Sequence, residues 1–145
     1  MNINKIQDRI ISEFESLIGD IANKFKYFRH ISLLGNNLQG KDVERTDKEL
    51  IDGCKPRIWL WSKYLQGKVY YFGDSDSLIY KGILSLFFQV FSGSTPREII
   101  NTDLYFINEI NLYHHLPSVR LDEMLHILQR IKAHAIRYQI SSIAG

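Results

Sequence analysis

The 145-residue chain has a single cysteine, Cys54, and this scarcity excludes more than any abundance. One thiol closes no internal disulfide, so a secreted, disulfide-stapled scaffold is ruled out and a reducing compartment is the expectation. One thiol also falls short of the several thiolates that an iron–sulfur cluster or a Cys-rich zinc site draws from a chain. With only 3 Pro and 9 Gly, the composition is neither collagen-like nor that of a disordered chain. Neither sign of charge dominates: 18 Lys and Arg face 16 Asp and Glu, a net charge of +2 that gives no reason to expect nucleic acid or an acidic membrane as partner. Long hydrophobic runs are missing too. The stretch from Ile79 to Phe91 is broken by Lys81 and Gln89 and is too short to cross a bilayer. The N-terminus meets Asp8, Arg9 and Glu13 before any signal-peptide apolar region forms, so the expected location is cytoplasmic.

What is present reads as one domain spanning residues 1–145. Ile6, Ile10, Phe14, Leu17 and Ile18 recur at helical spacing, with Gly19 as terminator and Asp20 as N-cap of a second helix. That helix is expected to carry Ile21, Phe25, Phe28 and Ile31 or Ser32 on successive turns and to stop at Gly35-Asn36-Asn37. A polar loop through Gly40 then leads to Glu49. Residues 57–64 and 68–72 are rich in aromatic and β-branched side chains around Leu65-Gln66-Gly67, which predicts a hairpin, with a third short strand near Leu50 and Ile51. Asp74-Ser75-Asp76-Ser77 offers several caps for a buried helix over 78–91. Thr95-Pro96-Arg97-Glu98 is a helix start with a capping box. A short helix follows near 103–110. Pro117-Ser118 opens the last helix, with Leu121, Met124, Leu125, Leu128, Ile131 and Ala135 on its apolar face. The expected architecture is α+β, helices packed around a small antiparallel β-sheet.

Chemistry is expected at Cys54, in Ile51-Asp52-Gly53-Cys54-Lys55-Pro56-Arg57. Gly53 permits a turn that a side chain would forbid, and Pro56 fixes φ and withdraws a hydrogen-bond donor. The thiol is then presented by a loop, with Lys55 and Arg57 favouring the thiolate and Asp52 opposing it. A lone cysteine can equally be a small buried hydrophobe. His114 and His115 are adjacent, and His126 and His134 are eight apart, so none forms a helical zinc pair, and no metal site is expected. A thiol enzyme pairing Cys54 with a histidine remains open. Residues 118–145 hold four Lys or Arg against two acidic residues, which reads as a solvated helix face or a surface for an acidic partner.

Several of these segments together resemble the SufE family, the sulfur-accepting activators of cysteine desulfurases. Gly53-Cys54 followed by Ile58-Trp59-Leu60 resembles its Gly-Cys-Gln-Ser-x-Val-Trp segment. Gly73-Asp74-Ser75-Asp76-Ser77, with Lys81-Gly82 beyond, is similar to its Gly-Asp-Ser-Asp-Ala and Lys-Gly. Gly93-Ser94-Thr95-Pro96-Arg97-Glu98-Ile99 matches its Gly-x-Thr-Pro-x-Glu-Ile turn, and Leu116-Pro117-Ser118-Val119-Arg120 its Leu-Ser-Pro-x-Arg. Arg45-Thr46-Asp47 fits as well, and the likeness runs from about Tyr27 to Ala135. Two places depart from the pattern: Gln-Ser after the cysteine is here Lys55-Pro56, and the Asn-Gly after the arginine is replaced around Leu121-Asp122-Glu123.

The resemblance implies a SufE/IscU-like fold and a Cys54 that accepts sulfur as a persulfide, resting in an apolar cavity until a partner docks. It implies a SufS-like cysteine desulfurase as partner, which keeps the pyridoxal phosphate to itself, and an iron–sulfur scaffold downstream. This chain would bind no cofactor, no nucleic acid and no membrane. Gly53, Lys55 and Arg57 would support the loop, Arg120 and Asp52 would serve docking (Arg120 equally an ion pair), and Asp74 and Asp76 would cap the buried helix. The alternative is a non-covalent adaptor that docks on the desulfurase without relaying sulfur.

Overall fold

The computed structural model describes residues 2–18, 24–38 and 45–144. The elements in chain order are α1 (Ile3–Phe14) with a 3₁₀ turn after it (Glu15–Leu17), α2 (Lys24–Asn36), β1 (Ile58–Leu65) and β2 (Lys68–Ser75). Then come α3 (Leu78–Phe91), α4 (Pro96–Ile100), α5 (Phe106–Glu109), α6 (Leu112–His115) and α7 (Leu121–Ala144). Gly19, Asp20, Ile21 and Gly40 lie outside the described residues. The fold is α+β, with helices packed on a two-stranded antiparallel sheet. No described helix is long and apolar enough to cross a membrane.

The hairpin pairs Ile58 with Ser75 through to Leu65 with Lys68. Its two-residue turn has positive φ at Gln66 (51°) and Gly67 (79°), as a type I′ turn requires. The third strand expected at Leu50 and Ile51 is a single bridge, Leu50 to Trp59, and Ser94 makes a matching bridge to Val69 at the other edge. Strand β2 runs to Ser75, three residues further than the aromatic run suggested.

Helix α3 is the centre of the core, with Ile83, Leu84, Leu86, Phe87, Val90 and Phe91 all buried. Helix α2 crosses it backbone to backbone. A Cβ on Gly82 would lie 2.2 Å from the Ile31 carbonyl oxygen, and one on Gly35 would lie 2.5 Å from that of Leu78. This crossing fixes which face of α2 turns inward: Tyr27, Ile31 and Gly35 are buried, while Phe25 is 85% exposed and Phe28 51%. The face expected through Phe25 and Phe28 is therefore the outer one. The glycines, not the phenylalanines, mark the contact.

Caps also differ from expectation. Ser77 alone caps α3, accepting from the Tyr80 amide, and neither Asp74 nor Asp76 does. Asp74 sits in β2 and pairs with Arg45 at 2.7 Å and Lys81 at 3.7 Å. Asp76 binds the backbone and guanidinium of Arg57. A strand that carries on through Asp74 leaves only the last serine at cap position. At α4 the Thr95–Glu98 capping box forms as expected. Helix α7 starts at Leu121, since Pro117 and Ser118 form a turn before it. Its inner face is Met124, Ile127, Ile131 and Ala135, and Leu121 and Leu125 point outward.

Candidate functional site: the Cys54 loop

Cys54 lies near the tip of the loop between the Leu50 bridge and β1. Both feet of this loop are fixed. On one side Ile51 N donates to Ile58 O (2.8 Å), and Arg130 Nη2 donates to Leu50 O (2.9 Å). On the other, Arg57 N donates to Asp76 Oδ1 (3.0 Å), and Arg57 O accepts from Ser75 Oγ (2.7 Å) and Asp76 N (3.2 Å). Between the feet, Gly53 takes φ +87°, and its Cα rests on the His126 imidazole so closely that a Cβ would lie 2.9 Å from Nε2. Glycine is required there on both counts. A shallow groove of about 250 Å³ runs alongside, between Ile51, Asp52 and the His126–Ala133 face of α7.

The Cys54 side chain is half-buried and packs against the edge of the core. Behind it stands a carboxylate that pattern reading did not single out. Glu123, in the first turn of α7 and only 2% exposed, accepts from the Lys55 amide through Oε2 (3.0 Å) and from the Tyr80 hydroxyl through Oε1. Tyr80 comes from the first turn of α3 and is itself buried. Three elements thus meet at one carboxylate. Burial, reinforced by the negative charges of Glu123 and then Asp122, pushes the Cys54 thiol up from 9.0 to about 11.

That direction corrects the expectation that Lys55 and Arg57 would favour the thiolate. The Lys55 side chain is exposed, and it is the Lys55 backbone that engages the site. Arg57 is turned away, paired with Asp76 and stacked 5.4 Å from the Trp59 ring. Arg120 forms a bidentate pair with Asp122 (3.1 and 2.9 Å), the ion-pair role weighed for it. Asp52 is exposed beside the groove. Asp74 and Asp76 brace the loop's downstream side and the strand behind it.

The histidines have other work. His115 stacks on Tyr27 at 4.3 Å and bonds Asn111 O; His134 is hydrogen bonded to Ser62 Oγ, which also meets Tyr138 Oη at 2.8 Å. Among the described residues Cys54 makes no hydrogen bond to a histidine, and no group of three metal-ligating side chains occurs. The Glu123–Tyr80 pair had only faint signals in the sequence. Glu123 looks like any acid favoured by a helix N-terminus, and Tyr80 like one more apolar residue of a buried helix.

A family model described as SufE, the Fe-S metabolism associated domain, matches residues 8–135. An uncharacterized SufE-like protein of Rhizobium meliloti (strain 1021) is 28% identical over 134 residues, which is 88% of this chain and 93% of that protein. The solution structure of a hypothetical protein from Thermus thermophilus matches with a TM-score of 0.70 at 14% identity, covering 91% of this chain and 94% of that one. At that identity the likeness is one of fold.

Proposed function

Since the chain belongs to the SufE family of Fe-S metabolism associated domains, we propose that it accepts sulfur from a cysteine desulfurase as a Cys54 persulfide and carries it toward cluster assembly. The observation that carries this reading is the placement of the chain's one thiol: a half-buried cysteine beside a positive-φ glycine, near the tip of a loop whose two feet are fixed. In the step itself, the Cys54 thiolate attacks the outer sulfur of a persulfide on the partner. A new S–S bond forms at Cys54, the partner's S–S bond breaks, and the partner's own sulfur leaves as thiolate. The Cys54 proton passes to solvent beforehand, and no net oxidant is consumed. With no second cysteine in the chain, the persulfide has no intramolecular thiol to discharge it.

At neutral pH a thiol with a pKa of about 11 is almost wholly protonated, so attack calls for a change of surroundings when the partner docks. Docking that draws the tip off the core would rehydrate the thiol and move it away from Glu123 and Asp122. Both changes favour the thiolate. The partner would be a SufS-like enzyme holding its own pyridoxal phosphate, with Arg120 and Asp52 beside the loop as docking groups and an iron–sulfur scaffold as the next acceptor. Incubation with desulfurase and cysteine, followed by intact mass, tests this. A gain of one sulfur atom that is lost in Cys54→Ser is the expected result. Binding and stimulation that survive Cys54→Ser without any mass gain would select instead a non-covalent adaptor, the reading that the raised thiol pKa favours.

A further inference from the structure

We propose that Glu123 is the positioning residue that latches the Cys54 loop, one buried carboxylate tying the loop tip to α3 so that the thiol is presented only when that tie opens. Its use in sulfur transfer rests on the carrier reading; the latch itself rests on geometry.

The feet of the loop hold through backbone pairing, Asp76 and Arg130, whereas the tip holds differently. Among the described residues, the one hydrogen bond made by residues 52–56 is Lys55 N to Glu123 Oε2, at 3.0 Å. Pro56 has no N–H to offer, and the Gly53 and Cys54 amides make no hydrogen bond among the described residues. Breaking that one hydrogen bond therefore leaves the tip held by packing alone, Cys54 on the core edge and Gly53 on the His126 ring, without disturbing the feet.

The other end of the tie is firm. Tyr80 is buried in the first turn of the central helix and donates its hydroxyl to the second carboxylate oxygen. A carboxylate that is 2% exposed is costly unless its oxygens are satisfied, and here each has one donor. Lose the Lys55 amide and that oxygen is left unpaired, so the closed loop and the satisfied carboxylate stabilise each other. The titratable and charged groups around the thiol are Asp122, Glu123, His126 and Arg120 from α7 and its approach, Tyr80 from α3, and Asp52, Lys55 and Arg57 from the loop. Of these, Glu123 and Asp122 are the ones that raise the thiol.

The test uses the whole protein in three forms: wild type, Glu123→Gln, and Tyr80→Phe, with thermal melts to confirm folding. The readouts are the pH profile of Cys54 alkylation by iodoacetamide and hydrogen exchange at the Lys55 amide. In Glu123→Gln the bonds can persist but the charge is gone. Its profile should move to lower pH by up to about one unit, and because the less basic thiolate is also less nucleophilic, alkylation at pH 8 should become about threefold faster. Tyr80→Phe keeps the charge and loses the anchor, and should speed Lys55 exchange about tenfold or more. Wild-type and unchanged profiles in both variants, with unchanged exchange, would overturn the latch. So would a wild-type Lys55 amide exchanging as fast as an unprotected one, an outcome independent of whether either variant folds. A wild-type protein that takes no sulfur from the desulfurase would sink the carrier reading but leave these readouts as they are.

Discussion

Suppose Cys54 is challenged with an aromatic disulfide reagent, once in the native protein and once in the chain unfolded in guanidinium. Thiolate is the attacking species, so the comparison isolates what the fold does to this one group. The native thiol lies at about 11 against an ordinary 9.0. At pH 8 the thiolate fraction is then about 0.001 in the native state and about 0.09 unfolded, roughly a ninetyfold deficit. The more basic thiolate is intrinsically more nucleophilic. A Brønsted slope of about 0.4–0.5 over two units restores a factor of about 6–10. The net expectation is a native rate about tenfold below the unfolded one, lowered further by the half-burial of the sulfur. The pH profile is the sharper measurement. The native rate should go on rising about tenfold per pH unit well past 9, where the unfolded thiol levels off. Equal rates at pH 8, or a native profile that flattens near 9, would refute the claim that burial, with Glu123 and Asp122, holds the resting thiol protonated.

Bound to a desulfurase, the same cysteine should be modified faster than in the free protein; equal rates would remove the sheltered-loop reading. Gly82→Ala drives a methyl against the Ile31 carbonyl, 2.2 Å from the Cβ position. Because the obstacle is backbone, it should cost about 3 kcal/mol in denaturant unfolding despite the better helix propensity of alanine. Gln7→Leu should cost about 2–4 kcal/mol, because the fully buried amide accepts from Tyr105 N and Phe106 N and donates to Asp103 O, all left unpaired. His134 is held down at about 4 by burial and by Arg137 and Arg130. The unfolded chain takes up its proton near pH 6.5 while the native one does not, so stability should fall as pH drops from about 6.5 toward 4. The cavity lined by Ser62, His134 and Tyr138 opens to solvent, whose screening should limit the loss to about 1–2 kcal/mol, and His134→Gln should flatten that part of the curve.

What could be read from the residues, and what could not, divides along the range of the interactions involved. The hairpin turn, the 78–91 helix and the Thr95 capping box are decided by neighbours a few positions apart, and local chemistry placed each within a residue or so, although β2 runs three residues past its aromatic stretch. The inner face of α2 is decided by the Gly35–Gly82 crossing, a contact between helices forty-odd residues apart. Hydrophobicity therefore pointed at Phe25 and Phe28, which face out. The loop shows the same division. Gly53 beside a lone Cys54 pointed to a thiol on a loop, but the rise of that thiol came from burial and then from Glu123 and Asp122, not from the adjacent cations. The two places where the chain departs from the pattern it resembles, Lys55-Pro56 and Leu121-Asp122-Glu123, look unrelated along the sequence. In the fold they meet at a single hydrogen bond, Lys55 N to Glu123. A proline that removes one donor and an acid that captures the next are physically one change, which trades polar groups beside the sulfur for a carboxylate beneath it. The two swaps should therefore not act independently: Glu123→Gly leaves the Lys55 amide without its acceptor and removes a charge that raises the thiol, whereas Lys55→Gln with Pro56→Ser leaves that carboxylate in place. Both 55–56 substitutions keep the residue-55 amide, so a double-mutant cycle on the alkylation rate tests whether the two departures are coupled, and strict additivity would mean that they are independent changes.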